Sequence, residues 1–280
     1  MRTVRYSRGG AESYGFVVRG EVVDRVTLGM SAPTVQALIA DGEMPAADAL
    51  ESADRIPWSA VELLPPLAPG KILCAGVNFP THRAETGQKP ERPEYPVIFT
   101  RFADSVVADG DELRKPTFTD VFDYEGELAV VIGRRAWQVS ERDALSHVFG
   151  YSCFNDGTVR DWQRHSQQWT PGKNFYRSGA FGPSLVTADE VPSLATARLQ
   201  TRVNGEVRQE ALIGEMLFSA AELIAYISQF TPLNPGDVIA AGTPGGVGMF
   251  MEPRGTVSDG DVVEVEIDGV GLLSNTVRDA

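Results

Sequence analysis

Short apolar runs with the character of β-strands recur along the chain, and few helices separate them. From Lys71 onward they read KILCAGV, YPVIFT, ELAVVIG, FGPSLVT, LQTRVNGEVRQ, DVIAAG and DVVEVEIDGVGLL. Two amphipathic helices interrupt these runs, and each begins with a capping box, at Ser140 with Asp143 and at Ser219 with Glu222. Regular alternation of strand and helix is missing, which argues against a Rossmann fold and a TIM barrel. The order predicts an α+β fold that is mostly β.

A cluster of proline and glycine, LLPPLAPGK, divides the chain. Neither a helix nor a central strand continues easily through such a segment. We therefore predict a small α/β domain over residues 1–62, a linker over 63–70 and a main domain over 71–280. In the first part, YGFVVRGEVVDRV indicates a hairpin around Arg19 and Gly20, and SAPTVQALIADG indicates a short helix with Ser31 near its cap and Gly42 at its end.

The charge balance narrows the classes of partner. The 280 residues carry a formal net charge of −13, which disfavours binding to nucleic acid or to anionic membrane surfaces. The first residues lack the apolar segment of a signal peptide, and no apolar stretch approaches the roughly 18 residues that a membrane span requires. Cys74 and Cys153 lie in apolar runs and are interpreted as reduced core thiols. We expect a cytoplasmic protein without nucleic-acid or membrane partners.

The run DYEGELAVVIG begins with carboxylates at every second position. In an extended strand Asp123, Glu125 and Glu127 project to one face, where their charges repel each other unless protons or a cation neutralise them. Oxygen ligands of this kind suit Mg²⁺, Mn²⁺ or Ca²⁺. On this segment alone, a solvated edge strand is the more common explanation. A second acidic turn, which carries Asp156 at the end of another apolar strand, favours a three-carboxylate site.

A histidine and a glutamate three residues apart follow the first strand of the main domain, in GVNFPTHRAE. Pro80 suits the first turn of a short helix, on which His82 and Glu85 share one face. The glutamate would then orient the imidazole as a general base. In isolation such a pair is far more often a solvated helix face. The polar segment TGQKPERPE that follows is suited to a mobile lid.

Two further segments carry groups that could bind an anion. Lys173 follows a Pro-Gly turn and could neutralise a substrate oxyanion, although a lone lysine is usually a surface charge. The run NPGDVIAAGTPGGVG, residues 234–248, combines a strand with a glycine-rich exit that carries Gly242 and Thr243. Such an exit can present backbone N–H groups and a hydroxyl to an anion, or it can be a tight loop that needs positive φ.

Taken in order, these segments resemble the fumarylacetoacetate hydrolase superfamily, in its shorter branch of acylpyruvate hydrolases, oxaloacetate decarboxylases and related isomerases. The resemblance runs from Lys71 to the end of the chain and is carried by GVNFPTHRAE, DYEGELAVVIG, GYSCFNDGTVRDWQ, PGKNF, VNGEVRQ, LNPGDVIAAGTPGGVG and GDVVEVEIDGVGLLSN. It implies a mixed β-roll or β-sandwich core with the N-terminal part as an appendage. It also implies a homodimer and a divalent cation, commonly Mg²⁺ or Mn²⁺.

The same resemblance implies roles for individual residues. The metal ligands would be Glu125, Glu127 and Asp156, with Asp123 behind them. The catalytic groups would be the water-activating dyad of His82 and Glu85, together with Lys173 for developing negative charge. Substrate contacts would come from Arg160, Gln163, Gly242 and Thr243.

Two positions depart from the family pattern. Many relatives read roughly GKSFDTF where this chain reads GKNFYRSGAFGP, so that Tyr176 replaces the acid and Arg177 follows it. We expect this exchange to alter the pocket wall. Arg101 stands where relatives often have lysine, and the resemblance gives it no role.

The hypothesis for function is metal-dependent hydrolysis of a C–C bond in an acylpyruvate-type substrate, a 1,3-dicarbonyl 2-oxo acid, through a metal-stabilised enolate. His82 would deprotonate the attacking water, and Lys173 would stabilise the charged intermediate. The same site could instead decarboxylate oxaloacetate or isomerise 2-hydroxyhepta-2,4-diene-1,7-dioate. An alternative of another class is a small-molecule binding protein with a structural metal. The reactive groups at several strand ends favour a catabolic enzyme that acts on a small anionic oxo acid.

Overall fold

Two β-sheets, of twelve and five strands, dominate the computed structural model, which describes residues 1–191 and 193–280. The strands are β1 (Arg2–Arg8), β2 (Ala11–Val18), β3 (Glu21–Asp24), β4 (Ile56–Pro57), β5 (Glu62–Leu64), β6 (Ile72–Gly76), β7 (Val97–Arg101), β8 (Val106–Val107), β9 (Glu112–Lys115), β10 (Phe122–Asp123), β11 (Gly126–Ile132), β12 (Val148–Asn155), β13 (Thr158–Val159), β14 (Gly179–Thr187), β15 (Arg198–Val203), β16 (Glu206–Leu212), β17 (Val238–Ala240), β18 (Val262–Ile267) and β19 (Gly271–Asp279).

The helices are short and lie between the strands. The α-helices are α1 (Val35–Asp41), α2 (Ala47–Ser52), α3 (Pro80–Glu85), α4 (Glu141–Ala144), α5 (Arg160–Gln163), α6 (Thr170–Lys173) and α7 (Ala220–Ser228). Single 3₁₀ turns lie at Trp58–Ala60, Ala103–Ser105, Leu145–His147, Ala188–Glu190, Leu194–Thr196, Ile213–Glu215 and Gly248–Phe250. Within the described residues no helix is long and apolar enough to cross a membrane.

The sheets are mixed. The larger has the order β4-β3-β2-β1-β14-β12-β11-β17-β6-β7, with β5 paired to β1 and β8 paired to β14. The smaller has the order β16-β15-β18-β19-β9, and β10 pairs with β13 as a separate ribbon. Most neighbours are antiparallel, but β6 with β17, β8 with β14 and β9 with β19 run parallel. The predicted α+β, mostly β fold is confirmed.

Strands from the N-terminal part join the larger sheet directly, because β1 pairs with β14 and β5 pairs with β1. The predicted hairpin is present: β2 and β3 meet at Val18 and Glu21. Arg19 and Gly20 form its turn with φ of 52° and 80°, the left-handed geometry that tight hairpin turns require. The division into residues 1–62, 63–70 and 71–280 stays a prediction.

The helix caps follow the predicted pattern with two differences. In α1 the cap is Thr34 rather than Ser31, since the Thr34 hydroxyl accepts a hydrogen bond from the N–H of Ala37. The helix that begins after Ser140 has one α-helical turn and continues as a 3₁₀ turn to His147, so it is shorter than predicted. The capping box at Ser219 is present and begins α7.

Strand β11 lies in the interior of the larger sheet, between β12 and β17. Leu128 and Val130 belong to the cluster that includes α7 and the smaller sheet, whereas Ala129 and Val131 belong to the cluster that includes α1. Burial of both faces explains the continuous apolar run. The alternative of a solvated edge strand is therefore wrong for this segment.

Gly126, at the start of β11, lies against the smaller sheet. A β-carbon at this position would stand 2.0 Å from Oγ1 of Thr201 and 3.3 Å from Cγ1 of Val265. Because these side chains belong to β15 and β18, the residue between Glu125 and Glu127 has to be glycine for the two sheets to pack this closely.

We predict that Gly126→Ala lowers the free energy of unfolding by about 1–3 kcal/mol through overpacking. The hydroxyl of Thr201 has no hydrogen-bond partner among the described residues, so Thr201→Ala should cost only the packing of its buried methyl group, about 1 kcal/mol. The double variant should then be more stable than Gly126→Ala alone. Urea unfolding of the three variants measures this coupling, and strictly additive effects would contradict the proposed contact.

Candidate active site

Three carboxylates from two separate stretches of the chain meet at one point. Glu125, Glu127 and Asp156 each offer an oxygen atom within 4.8 Å of the others, and all three side chains are buried. Strands β11 and β12 bring them together because Gly126 pairs with Asn155. The spacing of these residues in the sequence could not show that the three carboxylates converge, and the structure shows that they do.

Backbone hydrogen bonds hold the two acidic stretches in register. The N–H of Glu125 donates to Oδ1 of Asn155 at 3.0 Å, and the N–H of Asp156 donates to the carbonyl of Glu125 at 2.8 Å. The turn is tight, since a β-carbon on Gly157 would lie 1.9 Å from the carbonyl oxygen of Ser178. Each carboxylate is therefore directed by fixed backbone rather than by a flexible loop.

Two cations lie among the carboxylates. Nζ of Lys173 is 2.7 Å from Glu125 and 2.7 Å from Asp156. Arg160 contacts Glu125 at 2.5 Å and Asp123 at 2.8 Å. Asp123 thus faces Arg160 instead of joining the group of three, because the strand is interrupted between β10 and β11.

Glu127 differs from its neighbours in having no cationic partner among the described residues. Burial, together with repulsion from Asp156 and Glu125, raises its pKa well above the usual range. Burial also acts on Glu125, but Lys173 and Arg160 outweigh it and lower the pKa of that carboxyl to about 2. In the same way, Asp156 and Glu125 outweigh burial and raise the pKa of Lys173. Of the three carboxylates, Glu127 is therefore the one whose negative charge is least offset by the protein's own cations.

A divalent cation fits this donor set. Carboxylate oxygens are the ligands that Mg²⁺, Mn²⁺ and Ca²⁺ prefer in proteins, and a fixed positive charge would relieve the repulsion on Glu127. The residues that would hold it are Glu125, Glu127 and Asp156, with Lys173 and Arg160 around them.

His82 and Glu85 are assembled as a hydrogen-bonded dyad on α3, in which the histidine is buried and the glutamate is partly buried. Nδ1 of His82 lies 2.6 Å from Oε1 of Glu85, and the imidazole is 5% exposed. Oε2 of Glu85 accepts a hydrogen bond from the N–H of Gly246 at 2.8 Å. Pro80 occupies the first turn of this helix, as the sequence predicts. The alternative of a solvated helix face is wrong, because His82 is buried and Glu85 is only partly exposed.

The glycine-rich exit after β17 binds the protein's own acids. The N–H of Gly242 donates to Glu127 at 2.9 Å, and the N–H groups of Gly248 and Met249 donate to Asp123 at 2.8 and 2.9 Å. Gly242 takes a φ of 100°, which favours glycine. The sequence pattern led us to expect an anion at this exit, and the anions present are side chains of the chain itself.

A cavity of about 180 Å³ adjoins these groups. It is lined by Ala75, Gly76, Val77, His82, Thr86, Gln88, Phe99, Glu125, Glu127, Arg160, Gln163, Arg164, Trp169, Lys173, Thr243 and Phe250. His82 of the dyad, two of the acids and the lysine thus line one small space, and Glu85 lies behind His82.

The residues predicted for substrate contact lie at or beside this cavity. Oε1 of Gln163 accepts a hydrogen bond from Nη1 of Arg160, and Nη2 of that arginine has no partner among the described residues. The hydroxyl oxygen of Thr243 accepts a hydrogen bond from Nε2 of Gln209 at 2.7 Å, which leaves its hydrogen free to donate. Gly242 lies behind them, with its N–H committed to Glu127.

Tyr176 does not form part of the cavity wall, contrary to expectation. Its side chain is 66% exposed and lines a separate open groove with Phe118 and Arg114. The residue follows α6 after the chain has left the acids, so its exchange changes the surface and not the site.

Arg101 is a site residue that sequence reasoning missed. Its guanidinium is fully buried and donates to Asp156 at 2.5 Å, to the carbonyl of Gly157 at 2.9 Å and to the hydroxyl of Ser178 at 2.8 Å. Its remaining donors contact Ser105 through the hydroxyl and the carbonyl. The arginine at the end of an apolar strand was the available signal, since a charge there needs a buried partner.

We predict that Arg101→Met lowers the free energy of unfolding of the metal-free protein by about 3–5 kcal/mol, because Asp156 would lose a buried counterion. Arg101→Lys should cost less, since it retains the charge. Arg135→Met, at an exposed arginine, is the control and should change stability by less than about 0.5 kcal/mol. Denaturant unfolding in the presence of EDTA makes the comparison. If Arg101→Met and Arg135→Met were equally stable, the role of Arg101 as a buried counterion of Asp156 would be refuted.

Comparison with known proteins gives consistent matches. The family model described as fumarylacetoacetate (FAA) hydrolase C-terminal matches residues 71–278. A mitochondrial oxaloacetate tautomerase of Homo sapiens is 41% identical over 225 residues, which cover 79% of this chain and 71% of that protein.

Solved structures resemble the whole chain. The fumarylacetoacetate hydrolase of the psychrophile Exiguobacterium antarcticum is 34% identical with a TM-score of 0.88. The maleylpyruvate hydrolase of Sphingobium sp. SYK-6, solved with manganese(II) and pyruvate, is 28% identical with a TM-score of 0.83. Each comparison covers 100% of both chains. The chain therefore belongs to the fumarylacetoacetate hydrolase family and is one of its enzymes.

Proposed function

We propose that this enzyme interconverts the keto and enol forms of a small 2-oxo diacid, with oxaloacetate as the first candidate. One observation carries the proposal: His82, Lys173, Glu125 and Glu127 line one cavity of about 180 Å³. Glu85 and Asp156 contact this group from behind, through His82 and Lys173. The relative from Homo sapiens, 41% identical, is named as an oxaloacetate tautomerase. A small cavity with acid–base groups suits a substrate that only exchanges a proton.

The cofactor in this proposal is Mg²⁺ or Mn²⁺, with Ca²⁺ as a further fit to the same oxygen donors. A divalent cation held by Glu125, Glu127 and Asp156 would supply Lewis acidity toward the oxygens of a 2-oxo acid. The manganese(II) and pyruvate in the Sphingobium relative support this assignment.

His82 moves the proton in this scheme. Glu85 occupies Nδ1 of the ring, which leaves Nε2 to take the proton from the carbon next to the oxo group. The carboxylate of Glu85 stabilises the imidazolium that forms, and Gly246 fixes that carboxylate. The ammonium of Lys173 stabilises the negative charge that develops on the oxo oxygen. Return of the proton to oxygen gives the enol.

The carboxylates of the substrate need donors in the same cavity. Thr243 keeps its hydroxyl hydrogen for an acceptor, and Nη2 of Arg160 is buried without a partner among the described residues. Gln163 is held beside that arginine. We assign these three side chains to substrate binding, and we place Gly242 behind Glu127 as a support.

A second candidate is hydrolysis of a C–C bond in an acylpyruvate-type substrate. The dyad favours it, because an imidazole oriented by a carboxylate can also deprotonate water. His82 would then direct hydroxide to the distal carbonyl, and the products would be a carboxylic acid and a pyruvate-like acid. The structural relative from Sphingobium is named a maleylpyruvate hydrolase.

The proposal includes a homodimer, which the family resemblance implies, and a location in the cytoplasm, which the sequence analysis led us to expect. The net charge of −13 supports the absence of nucleic-acid and membrane partners. The measured mass of the protein in solution tests the assembly.

We predict that the enzyme loses its activity on oxaloacetate after chelation and regains it with Mg²⁺ or Mn²⁺. His82→Ala should lower kcat by about 10²–10⁴, because the proton-transferring group is removed. His147→Ala is the matched control, since that histidine lies outside the cavity. Enol absorbance measures the interconversion. Full activity of the metal-free protein, or of His82→Ala, would end the proposal.

The two candidate reactions separate in a substrate panel. Tautomerisation changes the enol absorbance of oxaloacetate without release of pyruvate. Hydrolysis releases pyruvate from an acylpyruvate, and decarboxylation releases it from oxaloacetate. Pyruvate release from acylpyruvates at a rate far above that of oxaloacetate interconversion would favour the second candidate over the first.

A further inference from the structure

We propose that Trp169 determines substrate specificity by limiting the length of the 2-oxo acid, so that the cavity admits short 2-oxo diacids and rejects acids with longer apolar chains. This inference rests on the proposed function, because it assumes that the cavity binds 2-oxo acids. It concerns a residue to which neither the motifs nor the proposed mechanism assigns a role.

The indole ring of Trp169 lies directly on the backbone of Gly76. A β-carbon on Gly76 would stand 2.2 Å from Cζ3 and 2.8 Å from Cη2 of the indole. Real β-carbons do not approach other atoms so closely, so the close contact depends on glycine. Both residues line the cavity. The ring thus closes one side of the cavity without a gap at that point.

The wall that Trp169 forms on one side of the cavity is connected, through Phe99, to the end of the cavity that holds Lys173 and the acids. Trp169 meets Phe99 edge-on, with 5.4 Å between ring centroids and 68° between planes. Nζ of Lys173 lies 5.2 Å from the centroid of Phe99. The ring of Phe99 therefore lies between the indole and the ammonium of Lys173, which contacts the acids. The distance between the indole and this ammonium limits the length of a substrate.

Backbone contacts keep the indole in place. The N–H of Lys173 donates to the carbonyl of Trp169 at 3.2 Å, so Trp169 is the N-cap residue of the turn, α6, that ends at Lys173. Asn174 donates to the carbonyls of Thr100 and Thr170 at 3.0 Å each, which fastens α6 to β7. Because α6 is held at both of its ends, the segment that carries Trp169 cannot move away at low cost to admit a longer chain.

The surroundings of the indole favour a polar end on the substrate. Gln88, Gln163 and Arg164 line the same cavity as Trp169. These groups offer hydrogen-bond donors to a second carboxylate. An alkyl chain in the same place would leave them desolvated and unpaired.

The test is binding of 2-oxo acids of increasing length to the Mn²⁺-loaded protein, measured by calorimetry with pyruvate, 2-oxobutyrate and 2-oxooctanoate. In the wild type we expect affinity to fall with chain length. Trp169→Ala should raise the affinity for 2-oxooctanoate relative to pyruvate by at least about tenfold, the scale of discrimination by a hydrophobic wall. Trp169→Phe should give a smaller change in the same direction.

Trp137→Ala is the matched control, because Trp137 is 41% exposed and does not line the cavity. It should leave the length profile unchanged. The proposal is overturned if Trp169→Ala and Trp169→Phe both keep the wild-type profile. Binding of 2-oxo acids without turnover would instead refute the proposed function. The dependence of affinity on chain length would still test whether Trp169 limits the length of the bound acid.

Discussion

The charge of four buried carboxylates is the constraint on which this structure depends. Arg101, Arg160 and Lys173 neutralise most of it through ion pairs of 2.5 to 2.8 Å. Glu127 has no such partner in the described part of the chain, and its raised pKa expresses the deficit. A proton or a bound cation can offset the remaining negative charge, so the affinity of this site for a metal arises from the protein interior before any substrate is considered.

The glycine-rich exit has a structural function that its sequence does not reveal directly. Its N–H groups hold the carboxylates of Glu127, Glu85 and Asp123, which serve three different parts of the site. Glycine is needed where φ is positive, as at Gly242 and Gly246. One short loop therefore sets the orientation of a proposed metal ligand, of the histidine partner and of the aspartate behind Arg160.

Local patterns in the sequence were sufficient for part of the site. The alternation that begins at Asp123 and the apolar run after it predicted a strand with acids at one end, and family resemblance connected Glu125 and Glu127 with Asp156. The contacts of Arg101 and Trp169 in the site could not be found in this way, because Asp156 and Gly76 lie far away from them in the sequence. The pairing of β1 with β14 is equally non-local, and no periodicity in either segment specifies it.

The expectation for Tyr176 failed for a related reason. It was based on the family pattern, in which an acid stands three positions after the lysine, but the chain turns outward after α6 and exposes the tyrosine. Proximity in sequence predicts proximity in space within a strand or helix, and it loses that value at the end of the element.

The contact between Gly76 and Trp169 also constrains how such a site can diverge. A larger residue at position 76 clashes with the indole, whereas loss of the indole removes the two closest contacts and leaves only Cγ1 of Val97, at 3.3 Å from a β-carbon, to adjust. Mutations at the two positions are therefore ordered: the tryptophan has to be replaced first. A lineage that acquires a wider cavity through position 169 can then accumulate side chains at position 76, and each of them makes the return of tryptophan less accessible.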